Sequence, residues 1–165
     1  MTGPASPTPT PSAGERRTAR LLVLGQFVLL APIVLLPHGD DWILPAAVAR
    51  TARVAVWVGL VLMVLAATAL GRGLTALPLP NVHAELRNGG LYRFVRHPIY
   101  SGLLLLAVAL SLTSGSKWTA AACAALVVLI NVKARWEERQ LALRFTGYAG
   151  YAARTRRFIP GPTRR

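Results

Sequence analysis

The sequence is poor in acidic residues, cysteine and histidine. It has only 6 Asp and Glu among 165 residues, against 19 Lys and Arg, so its formal net charge is +13. A single cysteine, Cys123, cannot form an intrachain disulfide. One cysteine and three scattered histidines also lack the spacing of a metal site. We therefore expect neither a disulfide framework nor a bound metal.

Charged residues are also scarce as a class, and they are segregated from the apolar ones. They make up 15% of the chain, whereas hydrophobic residues make up 53%. A nucleic-acid-binding protein of this charge would normally carry more Lys and Arg and fewer aliphatic residues, so we expect no nucleic-acid partner. The uncharged runs are 21–36, 54–70, 99–112 and 118–132. This pattern predicts an all-α fold, a polytopic membrane helix bundle in contact with membrane lipids.

We predict about four transmembrane helices, at about 20–37, 53–71, 99–114 and 117–133. The last two runs are short for a hydrocarbon core of about 30 Å, so soluble core helices are the alternative for them. The turn Thr113–Lys117 favours a membrane hairpin instead. With the N-terminus inside, only Arg50, Arg53 and Lys117 of the 19 basic residues fall outside. The positive-inside rule therefore predicts a multi-pass protein of the cell membrane with both termini and a C-terminal helical region in the cytoplasm.

The N-terminal segment differs in composition from the rest. It is rich in Pro, Ser, Thr and Ala, which cannot bury enough apolar surface to offset the entropy of ordering. We predict a disordered tail over residues 1–19 and one membrane domain over residues 20–165. A signal peptide is the alternative, but the sequence after Leu36 lacks a small-residue cleavage site.

The densest polar cluster lies just before the third run, where Arg96 and His97 precede Pro98. A residue before proline is disfavoured in a helix, and proline suits the first helical position, so a helix should begin at Pro98. Its free amides and positive dipole end would favour a carboxylate or phosphate. Anchoring at anionic headgroups is the alternative, which we prefer for Arg93.

A second polar cluster, around Glu137 and Glu138, follows the fourth run. Adjacent carboxylates on a helix point about 100° apart, so only one of them needs to face a pocket. Such a carboxylate would suit an ammonium or sulfonium ligand. Its spacing from Leu141 favours Glu138 slightly. The alternative is that both are surface ion-pair partners.

The two clusters and two motifs nearer the C-terminus together carry a family resemblance. The clusters contain Arg96-His-Pro-Ile-Tyr-Ser-Gly102 and Glu137-Glu-x-x-Leu141, and the further motifs are Phe145-x-Gly-Tyr148-x-x-Tyr151 and Arg157-Phe-Ile-Pro160. Over about 79–160, the chain resembles the isoprenylcysteine carboxyl methyltransferase family. Its wider relatives include phospholipid N-methyltransferases and, more distantly, membrane sterol reductases.

The resemblance implies a membrane enzyme that uses S-adenosylmethionine to methylate a lipid or isoprenoid-linked acceptor, which would enter laterally beside the third or fourth helix. It implies catalytic roles for Arg96 and Glu138. It implies that the cofactor is bound by Tyr92, Arg96, His97, Pro98, Tyr100, Gly102, Glu137 and Glu138.

Two other functions remain open at this stage. One is a sterol-reductase-like, NADPH-dependent membrane reductase, although no dinucleotide glycine fingerprint is present. The other is a non-enzymatic membrane subunit whose basic tail binds anionic lipid. The sequence determines neither the methyl acceptor nor the oligomeric state.

Overall fold

A computed structural model describes residues 11–36, 38–75, 77–79 and 85–161. Its helices are α1 Ala13–Leu35, α2 Ala46–Leu70, α3 Pro98–Ser114, α4 Lys117–Arg144 and α5 Tyr148–Arg154, with short 3-10 turns at Gly71–Gly73 and Gly90–Arg93. Within these ranges the only β pairing is one parallel bridge between Val95 and Arg156. The predicted all-α fold is confirmed.

The first helix begins earlier than the sequence predicts. Ser12 and Glu15 form a capping box in which each side chain accepts a hydrogen bond from the other's backbone amide. The helix therefore includes residues 13–19, which the prediction assigned to a disordered tail. That part of the prediction is wrong because it weighed composition and overlooked the cap. Residues 1–10 lie outside the described part of the chain.

Three of the helices, α1, α2 and α4, are long and apolar enough to cross a membrane. The third predicted span, α3, is apolar but has only 17 residues, which gives a length of about 25 Å. By contrast, the 28 residues of α4 extend about 42 Å, well beyond a hydrocarbon core of about 30 Å. The last turns of α4, which carry Glu137 and Glu138, therefore project past the membrane. The outward side chains of α1 and α2 are mostly large and apolar, as lipid contact requires.

Helices α2 and α3 pack closely because glycines face each other. A Cβ atom added to Gly102 would lie 2.6 Å from the carbonyl oxygen of Gly59, and one added to Gly59 would lie 2.7 Å from that of Gly102. Without a hydrophobic effect between helices in lipid, such backbone contact is a main source of attraction. The glycine pair therefore fixes the position of α3 against α2.

Helix α1 packs mainly on α4 and to a lesser extent on α3. The buried core between them contains Ile33 of α1, Leu103 and Ala107 of α3, and Leu126 and Ile130 of α4. Nearer the N-terminus of α1 and the C-terminus of α4, Gln26 accepts a hydrogen bond from the Lys133 ammonium. Helix α1 thus completes the bundle by packing against α4 and α3.

At one end of the bundle, the loop after α1 closes over the α3–α4 turn. The amides of Gly39 and Asp41 donate to the carbonyls of Ser114 and Gly115 at 2.7 and 2.9 Å. The Asp41 carboxylate accepts from the amide of Lys117 and forms an ion pair with its ammonium. Gly115 has φ of +66°, which a glycine adopts without strain. The two turns predicted to share a membrane face are therefore in contact.

Replacing Gly102 with alanine should destabilise the bundle, because the new methyl group collides with backbone rather than with a side chain that could move. We expect a loss of about 1–3 kcal/mol, measured as a lower melting temperature in detergent. Gly150→Ala is the control, since its Cβ meets only the far end of Arg154 at 3.9 Å. Equal melting temperatures for the two variants would contradict the close α2–α3 contact.

The predicted membrane orientation can be checked by cysteine labelling in a Cys123→Ala background. Ile43, 94% exposed, lies after the loop that closes over the α3–α4 turn, and the exposed Thr146 lies between α4 and α5. We expect an impermeant maleimide to label Ile43→Cys from outside intact cells and Thr146→Cys only after permeabilisation. The reverse pattern would show that the positive-inside prediction is wrong.

Candidate functional site

The C-terminal segment folds back onto the start of α3. The amides of Arg96 and His97 donate to the carbonyls of Arg156 and Arg157 at 2.8 and 3.1 Å. The Ser101 hydroxyl donates to the carbonyl of Phe158 at 2.7 Å. These bonds bring the first polar cluster, the end of α4 and the C-terminal motif together at the end of the bundle opposite the Gly39 loop.

Glu138 is the centre of this assembly. Its Oε1 accepts hydrogen bonds from Arg96 Nε at 2.9 Å and Arg157 Nε at 3.0 Å, and lies 3.1 Å from His97 Nε2. Its Oε2 accepts a second bond from Arg157, at 2.6 Å. Only 13% of its side chain is exposed. A carboxylate so enclosed by cations has its charge compensated by the protein itself.

Arg96 links this carboxylate to the end of α5. While its Nε binds Glu138, its terminal nitrogen donates to the carbonyls of Ala152, at 2.8 Å, and Thr155. Carbonyls at a helix C-terminus lack partners within the helix, and a guanidinium there also interacts favourably with the helix dipole. Arg96 thus holds α5 against the bundle.

His97 lies between the two glutamates. Its Nε2 faces Glu138, and its Nδ1 is 3.9 Å from Oε2 of Glu137. The same Glu137 oxygen accepts a hydrogen bond of 2.7 Å from the Tyr100 hydroxyl, and the Tyr100 ring stacks on that of His97. Glu137 is therefore oriented by Tyr100, whereas Glu138 is surrounded by arginines.

A cavity of about 410 Å³ opens beside Glu137. This volume is within the range of about 300–1,000 Å³ typical of small-molecule sites. Its wall combines charged groups with aromatic and aliphatic side chains from α1, the end of α2, α3, α4 and α5. The polar and aromatic lining residues are Gln26, Phe27, Thr75, Glu85, Arg87, Tyr92, Arg96, His97, Tyr100, Lys133, Glu137, Tyr148 and Tyr151.

Most of the predicted site residues line this cavity, including Tyr92, Arg96, His97, Pro98, Tyr100 and Glu137. Gly102 does not, since it lies one turn further along α3 in contact with Gly59. Glu138 does not either, because it points into the arginine cluster behind the cavity wall. The sequence favoured Glu138 slightly as the pocket-facing carboxylate, whereas the structure places Glu137 on the cavity wall. Spacing from one apolar residue could not locate the C-terminal arginine that draws Glu138 away.

The tyrosines of α5 are buried parts of the site. Tyr151 donates to the carbonyl of Tyr92 at 2.6 Å, and the Tyr92 hydroxyl in turn donates to the carbonyl of Ala66 at the end of α2. Tyr148 is also buried, but its hydroxyl has no hydrogen-bond partner among the described residues. Burial raises the pKa of Tyr148 above its usual value, so the hydroxyl keeps its proton. Lining the cavity, it can donate to a bound ligand.

Two cavity residues, Gln26 and Lys133, were not identified from the sequence. Gln26 lies in the apolar run of α1, and Lys133 lies at the end of that of α4. A polar residue inside a membrane span is itself a signal of function. The signal was overlooked because neither residue belongs to a motif, and only the packing of α1 on α4 places them together.

The comparisons with known proteins are consistent with this geometry. The family model of phospholipid methyltransferases matches residues 48–146, from the start of α2 to just beyond α4. No curated protein and no solved structure matches the chain. The matched region is more than half of the chain and contains both polar clusters, so the protein belongs to the phospholipid methyltransferase family.

Proposed function

We propose that this protein transfers a methyl group from S-adenosylmethionine to a lipophilic acceptor at the cytoplasmic face of the cell membrane. The observation that carries the proposal is the carboxylate of Glu137 in a cavity that also holds cationic and aromatic groups, at the membrane-exit end of α4. Membership of a methyltransferase family supports the same reaction.

The cavity has groups that complement each part of such a cofactor. S-adenosylmethionine carries an ammonium, a carboxylate, a sulfonium and a nucleoside, and supplies an electrophilic methyl group when bound. Glu137 offers a carboxylate to the ammonium or sulfonium, and the free amides at the start of α3 offer donors to the carboxylate. The ring of Tyr92 and the unpartnered hydroxyl of Tyr148 offer contacts to the nucleoside.

The residues of the chain need only to bind and align the reactants. Methyl transfer is a one-step displacement, in which the methyl carbon, the leaving sulfur and the attacking atom must lie in line. In this proposal Arg96 and Glu138 act indirectly, because their charges compensate each other. Their contacts hold His97 and the C-terminal segment in place. They are positioning residues, and Glu137 is the group that touches the cofactor.

The structure favours a different lipid entrance from the one expected beside α3 or α4. Helix α1 packs on α4 and α3 but has little contact with α2. The cavity wall on that side consists of Val23 and Phe27 of α1 and Leu70 at the end of α2, and Phe27 is 61% exposed. An acceptor with an apolar chain would therefore enter from the bilayer between α1 and α2.

Thermal stability with candidate cofactors separates the possible functions. We expect S-adenosylmethionine or its thioether product to raise the melting temperature of the detergent-solubilised protein, since a ligand that binds only the folded state stabilises it. Stabilisation by NADPH alone would support a sterol-reductase-like enzyme. No shift with either ligand would support a non-enzymatic membrane subunit with a lipid-binding basic tail.

Glu137→Gln should impair cofactor binding while leaving the fold intact. The amide keeps the shape and can still accept a hydrogen bond from Tyr100, but it loses the charge that faces the cavity. A lost charge-assisted contact corresponds to about ten- to a hundred-fold in affinity, which titration calorimetry with S-adenosylmethionine would detect. Wild-type affinity with an unchanged melting temperature would contradict the role of Glu137.

Glu138→Gln should act mainly on stability. The substitution leaves Arg96 and Arg157 partly buried without their shared anion, and breaking a buried pair in this way costs up to about 3–5 kcal/mol. We expect a clear fall in melting temperature. Glu85→Gln is the control, because its ion pair with Arg87 is exposed and worth about 0–1 kcal/mol. A melting temperature for Glu138→Gln as high as that of the control would show that the arginine cluster does not stabilise the site.

A further inference from the structure

Lys133 is a buried cation that the proposed chemistry does not use. Its exposed fraction is 3%, and its side chain lies on the cavity wall. The ammonium donates a hydrogen bond of 2.7 Å to Gln26 Oε1, and lies 5.1 Å from the centre of the Tyr100 ring. A charged group at this depth costs free energy, so its retention points to a function.

The charge of Lys133 is not neutralised by an ion pair. No carboxylate of the described residues lies within 4.0 Å of its ammonium, and the nearby Glu137 accepts its hydrogen bond from Tyr100. An ammonium has three donors, and Gln26 takes one of them. The contrast with Glu138, whose charge is met by Arg96 and Arg157, is clear. Among the described residues, the Lys133 ammonium therefore has donors that Gln26 does not take up.

Lys133 lies nearer the proposed lipid entrance of the cavity than Glu137 does. Lys133 precedes Glu137 by four residues on α4, so it lies about 6 Å further along the helix axis toward the membrane interior. It contacts Gln26 of α1, and the other α1 residues that line the cavity are the apolar Val23 and Phe27. A polar cofactor bound at Glu137 would approach from the aqueous side, whereas the head of a lipid entering past α1 would reach Lys133 first.

We infer that Lys133, oriented by Gln26, determines acceptor specificity by binding an anionic head group, a carboxylate or a phosphate, on the lipophilic substrate. The inference rests on the proposed function and adds the charge of the acceptor. Gln26 acts as a positioning residue that holds the ammonium at the lipid entrance. A neutral or cationic lipid of equal chain length would bind less well, because it would leave the buried ammonium without an anion.

The test compares lipids with one chain and different heads. Oleic acid, oleyl phosphate, oleyl alcohol and oleylamine are titrated into the detergent-solubilised protein at pH 8.5, and apparent affinities are taken from the shift in melting temperature. We expect the wild type to prefer one or both anionic probes over the alcohol by about ten-fold or more. A preference for the acid alone or for the phosphate alone identifies the anionic group of the acceptor as a carboxylate or as a phosphate.

Variants of Lys133 then test whether this residue causes the preference for anionic lipids. Lys133→Gln should abolish it, while Lys133→Arg, which keeps the charge, should retain it. Lys117→Gln is the matched control, since the same change at the other end of α4 affects only an exposed pair with Asp41. If Lys133→Gln does not fold, the wild type and Lys133→Arg still decide the question, because the inference requires both to prefer an anion.

Two outcomes would overturn the inference. The wild type could bind the alcohol or amine as tightly as the anions, or Lys133→Gln could keep the anionic preference. If the variant kept that preference and lost S-adenosylmethionine, Lys133 would be assigned to the carboxylate of the cofactor. Failure of the proposed function is separable from these results, since it would appear as wild-type protein that binds no S-adenosylmethionine whatever its lipid preference.

Discussion

The ion cluster around Glu138 joins three parts of the chain that are distant in sequence. Arg96 comes from the segment before α3, Glu138 from the end of α4 and Arg157 from the C-terminal segment. Because the cluster is largely buried, each partner depends on the others, and removing one would leave its counter-charges uncompensated. The cavity wall is built on this cluster: it fixes His97, and through Arg96 it fixes α5 and its tyrosines.

The membrane part of the bundle supplies the frame for the cluster. The Gly59–Gly102 contact sets α3 close to α2, and the apolar core sets α4 against α1 and α3. Helix α4 is longer than the membrane is thick, so its final turns carry the two glutamates beyond the hydrocarbon. Helices α1 and α2 are left with little mutual contact, and the cavity lies at that gap. The bundle is therefore closely packed between α2 and α3 and open between α1 and α2.

The two adjacent glutamates serve different purposes because their surroundings differ. Glu138 is compensated by arginines, whereas Glu137 is held by Tyr100 and faces the cavity with its charge available. Lys133, one helical turn away, carries the opposite charge and donates to Gln26. A site that presents one anion and one cation is suited to ligands that carry both charges, or to two ligands of different charge.

The sequence by itself determined the fold class, the approximate extents of the apolar helices and most of the residues that line the cavity. Long uncharged runs can be buried only in lipid or in a bundle, and a proline after Arg96-His97 favours the start of a helix, so both features can be predicted from local sequence. The two polar clusters, in turn, carried the family resemblance. The family model bears out the methyltransferase family.

Only the tertiary structure decided which carboxylate faces the cavity and which residues complete it. Glu137 and Glu138 are neighbours on one helix, and their roles depend on Arg157, nineteen positions away, and on Tyr100 in another helix. Likewise the contact of Gly102 with Gly59 depends on how α3 packs on α2, and the Gln26–Lys133 pair exists only because α1 packs on α4. Such long-range contacts leave no periodic or spacing signal in the chain, since they are set by how whole helices pack.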